Sequence, residues 1–424
     1  MKVLLIGGGG REHALGWKIA QSPALSKLYL APGSPGLNPL GEAISIAETD
    51  AGAIAEFASE NAIDLVVVGP EAPLAAGMGD ALRARGIACF GPDQEAAQLE
   101  SSKSFMKEVC AAAGAPTAAY GAFSDPGSAK AFLRDQSAPF VIKADGLAAG
   151  KGVIIAQTLN EADDAVDDIL GGKFGEAGAR LVIEEFMQGE EASFFAVTDG
   201  ATILPMVAAQ DHKRAYDGDE GPNTGGMGAY SPAPVFTQTV HERTMREIIE
   251  PVVGEMRRRG APYVGVIYAG LMIKDERPRL IEINARFGDP ECQVMMRRMQ
   301  SDILPVLHAA ATGALAGQTF DWSGDAAALV VMAADGYPGG YEKGTPIHGV
   351  TEANAKEGVV VFHAGTREEN GALVSNGGRV LNVTATGATI REAIDRAYAG
   401  VNAIDWPGGF FRRDIGWRAL EHDA

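Results

Sequence analysis

The sequence predicts a multidomain α/β and α+β chain. An open parallel α/β (Rossmann-like) domain leads and a small mixed domain closes. Three observations predict this. At 424 residues the chain exceeds one ordinary core, and two to four domains are expected. The first hundred residues alternate short apolar strands with helical stretches, which argues for a parallel sheet covered on both faces. Beyond residue 102 apolar runs are joined by glycine-rich loops, which reads as antiparallel strands with packed helices. With 46% hydrophobic and 21% charged residues, the chain can bury large cores.

Taken in order, Lys2 to Ile6 reads as a strand and Gly7-Gly8-Gly9-Gly10 as a turn. Arg11 to Gln21 is a helix with apolar residues at Ala14, Leu15, Ile19 and Ala20. Lys27 to Ala31 is a second strand, ended by Pro32-Gly33. A helix from about Ala51 to Asn61 precedes a third strand over Asp64 to Gly69. Leu74 to Arg85 is helical, and Ile87 to Phe90 is a short strand, so the first domain spans 1–101. A helix over Ser102 to Ala113 carries Lys103 and Lys107. Phe140 to Lys143 and Val153 to Ala156 pair antiparallel, Leu159 to Leu170 is an acidic helix, and Leu181 to Phe186 is a strand. The middle domain spans 102–325, with a small lobe at about 116–187 and a larger lobe at 188–325. The last domain, 326–424, opens with a strand from Ala326 and holds a late helix over Thr389 to Asn402.

A formal net charge of −19 with no strong basic tract argues against nucleic acid as a partner. The longest apolar runs are too short to span a bilayer, so no membrane partner is expected. Cys89, Cys110 and Cys292 lie far apart in no metal or disulfide pattern, which points to a reducing, cytoplasmic compartment.

The segment from Leu280 to Glu291 opens as a strand in which Glu282 and Asn284, two apart, share one face. A carboxylate beside an amide oxygen suits Mg²⁺ and the phosphates it carries. The first glycine cluster follows a strand and opens a helix, so its backbone N–H groups can attract an anion, with Arg11 adding charge. A purely structural turn is the other reading. Glu12 stands where a dinucleotide fingerprint needs glycine. Glu71, after the third strand, lies at the same sheet edge or in an exposed loop. Lys143 ends one strand, and a Gly/Ala loop through Gly146 carries Lys151 and Gly152 into the next. Small residues let backbone wrap phosphates. Glu184-Glu185-Phe186-Met187 could hold a purine and Glu191 a ribose, although acidic linkers after strands are common. Gln210 to Gly228 mixes charges with glycines like a substrate loop. Its His212 has no second histidine nearby and reads as satisfied or solvated.

In this order and spacing the clusters resemble the ATP-grasp ligases and, within them, the glycinamide ribonucleotide synthetases. The resemblance is carried by Gly8-Gly9-Gly10-Arg11-Glu12-His13, Gly69-Pro70-Glu71, Lys143 to Val153, Asn223 to Ala229, Arg286 to Glu291 and Asn376 to Leu381. It covers essentially the whole chain. It implies an ATP-grasp fold with ATP between the two lobes. Lys103 and Lys143 would contact phosphates, the loop through Lys151 would close over them, and Mg²⁺ (or Mn²⁺) would sit on Glu282 and Asn284. Glu184 to Met187 would hold adenine and Glu191 the ribose. Gly9, Gly10, Arg11, Glu12 and Glu71 would take the sugar phosphate. Asp211, Lys213, Arg286 and Asp289 would lie near the glycine and the transferred phosphoryl group, with Asn223, Gly225, Gly226, Met227, Pro290 and Glu291 lining the substrate side. Two departures stand out. Tyr268 to Met272 carries no carboxylate where many ATP-grasp enzymes place a third metal ligand, and Cys292 replaces a common threonine.

The implied reaction ligates glycine to 5-phosphoribosylamine through glycyl phosphate, in a monomer or weak dimer. A second reading is another ATP-grasp carboxylate–amine ligase. The imperfect glycine turn argues against a nicotinamide-dependent dehydrogenase, and the presence of Glu282 and Asn284 argues against a non-catalytic nucleotide sensor.

Overall fold

The structure, a computed structural model, describes residues 1–148 and 152–422. Its N-terminal unit comprises β1 (Lys2–Gly7), α1 (Gly10–Ile19), β2 (Lys27–Pro32), β3 (Glu42–Ala43), α2 (Ala51–Glu60) and β4 (Leu65–Val68). It continues with α3 (Glu71–Ala75), α4 (Met78–Arg83), β5 (Cys89–Phe90) and α5 (Gln94–Ser101). The strands form one parallel sheet in the order β3-β2-β1-β4-β5. Val3 to Ile6 and Leu65 to Val67 are fully buried, as strands covered on both faces require. Because β2 and β4 flank β1 on opposite sides, a crevice opens at the carboxyl ends of β1 and β4. The helix expected over 74–85 is instead two, since Gly77 adopts a left-handed conformation (φ 87°) between them. Glu71 is the first residue of α3.

The small lobe follows α6 (Lys103–Ala113), which Ser102 caps. It contains β6 (Tyr120–Phe123), α7 (Pro126–Arg134), β7 (Phe140–Ala144), β8 (Val153–Ala156), α8 (Leu159–Asp168) and β9 (Leu181–Glu185). Its antiparallel sheet runs β6-β9-β7-β8. Phe140, Ile142 and Ile183 pack against Ala129, Leu133, Ala162 and Val166 of the two helices. The alternate residues Val141, Lys143 and Glu184 therefore face the other way, into a cavity. The acidic helix ends at Asp168 and runs into a wider turn over Ile169–Lys173.

The larger lobe holds β10 (Glu190–Asp199), β11 (Ile203–Pro205), β12 (Gln210–Asp211), β13 (Arg214–Tyr216), β14 (Glu220–Asn223) and β15 (Gly228–Ser231). After α9 (Gln238–Thr244) and α10 (Glu250–Arg258) come the long strands β16 (Val264–Lys274) and β17 (Arg277–Asn284), then α11 (Glu291–Arg298) and α12 (Ile303–Ala311). One sheet runs β11-β10-β16-β17. The C-terminal part comprises β18 (Ala326–Ala334), α13 (Val350–Asn354), β19 (Val359–His363), β20 (Thr366–Glu369), β21 (Ala372–Ser375) and β22 (Arg379–Gly387). It ends with α14 (Ile390–Val401), β23 (Gly409–Phe410) and α15 (Trp417–His422). Its sheet, β12-β15-β18-β22-β19, draws strands from both sides of residue 325. The late helix is as read, with Thr389 as its cap.

The cores are distributed unevenly. Leu4, Ile6 and Val66 of the first sheet share one continuous core with Phe194, Ile267 and Ile283 of the larger lobe. On the other face, Val3, Leu5 and Leu15 pack with Phe195, Met295 and Leu307. The small lobe has a core of its own.

Candidate active site

A cavity of about 520 Å³ lies between the small lobe, the larger lobe and the carboxyl edge of the first sheet. On the small-lobe wall, Glu184 is buried and bridges two lysines. Its Oε2 lies 2.9 Å from Lys143 Nζ and its Oε1 3.2 Å from Lys107 Nζ. Lys103 Nζ donates to the Gly146 carbonyl at 3.2 Å. Asp145 is occupied structurally, accepting from Ser104 N at 2.6 Å and Ser104 Oγ at 2.9 Å, which ties this loop to the start of α6. Glu185, Phe186, Met187, Glu191 and Gly152 also line the cavity. Met187 is buried, whereas Phe186 is exposed. Lys151 lies outside the described residues.

Opposite stands β17. Glu282 and Asn284 both reach the cavity, with Asn284 Nδ2 3.4 Å from Glu282 Oε1. Burial opposes ionisation of Glu282, but Lys143, Lys213 and Lys103 outweigh it and hold the carboxyl below its ordinary value. Gly270, paired with Glu282 across the sheet, explains the missing third carboxylate. A Cβ there would lie 3.2 Å from Glu282 Cγ, so glycine leaves room for that side chain. Among the described residues no group of three or more His, Cys, Asp or Glu side chains could hold a metal.

The third wall is built on arginines. Arg286 NH2 lies 3.1 Å from Glu100 Oε1 and its Nε 3.3 Å from Glu71 Oε2. Glu100 also accepts from the Ala285 backbone at 2.7 Å. Burial opposes the charge on Arg286, yet Glu100 and Glu71 push its pKa up. Asp289 accepts from Gln293 Nε2 at 2.9 Å and faces Arg379 NH2 at 3.4 Å. Arg379 NH1 also donates to the Asp289 carbonyl at 2.7 Å and the Gly225 carbonyl at 2.5 Å, joining the turn before α11 to the substrate loop. Lys213 bridges Glu191 Oε2 (2.7 Å) and Asp211 Oδ1 (3.0 Å). Glu291 Oε1 accepts from Ser193 Oγ at 2.7 Å and Tyr268 OH at 2.9 Å.

Not every expected site residue reaches the cavity. Arg11, Glu71, Asp211, Lys213, Asn223 and Gly225 line it, as do Arg286, Asp289 and Glu291. Glu12 instead turns back beneath the glycine turn, accepting from Gly9 N at 2.9 Å and Arg11 Nε at 2.6 Å. Gly10 packs on Asn382 and Gln293 of neighbouring elements, and Gly9 lies against Glu12. Gly146 packs on Ala177, Gly226 (φ 110°) abuts Pro290, and Met227 is fully buried. Cys292 is fully buried, and burial pushes its thiol pKa well up. His212 is likewise buried, its Nε2 accepting from Gly416 N at 2.9 Å. The sequence reading missed Glu100, Tyr268 and Tyr337, and gave Arg379 no role, although all four line the cavity.

The chain matches the family described as phosphoribosylglycinamide synthetase in three parts: the N domain over residues 1–100, the ATP-grasp (A) domain over 101–292 and the C domain over 327–418. It is 60% identical over 423 residues to a phosphoribosylamine–glycine ligase of Mesorhizobium japonicum, covering 100% of this chain and 99% of the relative. It is 58% identical over 424 residues to the corresponding protein of Rhizobium meliloti, covering 100% of each. A crystal structure of phosphoribosylamine–glycine ligase from Thermotoga maritima superposes with a TM-score of 0.86 at 31% identity, covering 98% of this chain and 100% of that one. Biotin carboxylase from Campylobacter jejuni superposes with a TM-score of 0.73 at 15% identity, covering 97% and 92%, a likeness of fold alone.

Proposed function

The chain belongs to the phosphoribosylglycinamide synthetase family, and from that membership we propose how its cavity carries out the reaction. The protein is an ATP-dependent ligase of purine biosynthesis that joins glycine to 5-phosphoribosylamine through a carbon–nitrogen bond. A carboxylate has a poor leaving group, so a glycine oxygen first takes the γ-phosphoryl group and ADP departs. The amine of phosphoribosylamine then attacks the carbonyl of glycyl phosphate, phosphate leaves, and the amine loses a proton. Asp211, a cavity-lining carboxylate paired with Lys213 at 3.0 Å, is the group we assign to take that proton.

The one observation that carries this placement is that a single cavity collects the Lys143–Glu184 wall, the Glu282–Asn284 strand and the Arg286–Asp289 turn. The nucleotide lies over β7 and β9, with Lys103 and Lys143 at its phosphates and Met187 and Phe186 at its ring. Arg286 and Asp289 orient glycine and the sugar amine, and Arg11 and Glu71 face the sugar phosphate. Glu282 and Asn284 offer two hard oxygen ligands, which fit Mg²⁺ or Mn²⁺ if phosphate oxygens and water complete the shell. When bound, the metal neutralises phosphate charge. No side-chain nucleophile takes part, and the chain's work is positioning and electrostatics.

Among the described residues no helix is long and apolar enough to cross a membrane. Three buried free cysteines support a reducing, cytoplasmic setting, and a monomer or weak dimer is the form we propose. Radiolabelled glycine is expected to enter a phosphorylated product only when ATP, Mg²⁺ and phosphoribosylamine are all present. Turnover with another amine, and none with phosphoribosylamine, would refute this substrate assignment.

A further inference from the structure

We propose that Lys107, which stands behind the cavity wall and does not line it, is a positioning residue for the nucleotide. It holds Glu184 so that the charge of Lys143 stays available to phosphate. The proposal rests on the placement of ATP over β7 and β9 given above.

Lys107 is completely buried on α6. Its ammonium donates to Thr117 Oγ1 at 2.8 Å and to the Ala118 carbonyl at 3.4 Å, and it forms an ion pair with Glu184 Oε1 at 3.2 Å. Anchored by these two hydrogen bonds, the ammonium holds its charge beside Oε1. The other oxygen of Glu184 takes Lys143 at 2.9 Å. Two cations thus share one carboxylate and leave one net positive charge, and of the two only Lys143 lines the cavity. Without the charge of Lys107, Glu184 would neutralise Lys143 outright, and of the two lysines placed at the phosphates Lys103 alone would keep an unshared charge. Burial lowers the pKa of Lys107, with Glu184 opposing and Lys143 adding to the fall. A desolvated ammonium placed here costs stability. Packing alone would be better served by an apolar side chain.

The same residue reaches the opposite wall. Thr117 Oγ1, which accepts from Lys107, donates to the Leu280 carbonyl at 2.7 Å, and Leu280 N donates to the Pro116 carbonyl at 2.8 Å. Leu280 lies on β17 two residues before Glu282. Lys107 therefore fixes the strand behind the purine relative to the strand that carries Glu282 and Asn284.

Lys107→Met removes the charge and keeps the length of the side chain. It is expected to raise the KM for ATP about tenfold, with kcat and the KM for glycine within about twofold. Lys143→Met is measured beside it and is expected to raise the ATP KM as well. If Lys143→Met raises it and a folded Lys107→Met does not, the positioning role is wrong while the placement of ATP stands. If neither does, the placement itself is wrong. Should Lys107→Met fail to fold, Thr117→Val removes the hydroxyl that orients the ammonium. A rise in ATP KM of roughly threefold supports the role and an unchanged value overturns it.

Discussion

On the small-lobe wall the cations are lysines, on the third wall they are arginines, and the two sets are held differently. Lys107 and Lys143 share one carboxylate, Glu184. Arg286 meets two, Glu71 and Glu100, while Arg379 faces Asp289 and Arg11 faces Glu12. Burial depresses Lys103, with Glu282 opposing and Lys143 adding to the fall, whereas Arg286 stays charged because its carboxylates outweigh its burial. The supports differ in part. Lys143 and Glu184 stand on a lobe with its own core. Lys103 and Lys107 lie on α6, whose Met106, Val109 and Cys110 join the core shared between the first sheet and the larger lobe, the support on which the arginine wall also rests. The lysine wall therefore carries positive charge in excess, which suits a polyanion. The arginine wall is neutralised, and the planar donors of its guanidinium groups suit the orienting of small substrates that we propose for it.

Three substitutions probe that contrast. Glu282→Ala, between the walls, has the largest expected effect, a fall in kcat of about 10³-fold with an unchanged melting temperature. Near-normal turnover would remove Glu282 from the metal role. Arg286→Met comes next, lowering kcat/KM for phosphoribosylamine about 10²-fold. It also leaves Glu100 buried without its partner, so unfolding stability should fall by about 3 kcal/mol in urea titrations. Lys143→Met should spare stability by comparison, because Glu184 keeps Lys107. Equal stability losses in the two variants would show that the walls are not built differently after all.

Much of this was legible in the sequence where a function sits inside one local pattern. Glu282 and Asn284 share a face because strand side chains alternate, and Lys143 and Glu184 alternate with core residues for the same reason. The partners that tune them were not legible. Glu100 ends an ordinary amphipathic helix yet caps Ala285 and pairs with Arg286 far along the chain. Tyr268 meets Ser193 and Glu291 only because β10, β16 and α11 converge. Lys107 reads as one more helix lysine until β9 and Thr117 surround it. Glu12 did carry a usable signal, since a glutamate at the third helical position often folds back on the preceding backbone N–H, as it does here on Gly9. Chemistry-bearing residue types show themselves by spacing. Residues that hold them in place depend on tertiary convergence, which one-dimensional spacing does not encode.

The gentlest test of the contrast is pH, because the two walls should fail at opposite ends of the scale. Burial opposes ionisation of Asp289 and of Glu71, but Arg379 and Arg286 respectively outweigh it and hold both below the ordinary carboxylate value. The stability these carboxylates add is full above their unfolded pKa, about 4, and is lost as pH falls through the lower folded values. The arginine wall should therefore hold to about pH 4 and loosen below it. Lys103 and Lys107 run the other way. Burial lowers both, so they discharge before an ordinary lysine would, below about pH 10.4. The rise in melting temperature caused by ATP should shrink on the alkaline side before the protein itself loses stability. A rise that persists undiminished beyond about pH 10.4 would mean that Lys103 and Lys107 keep their charge as firmly as the arginines do.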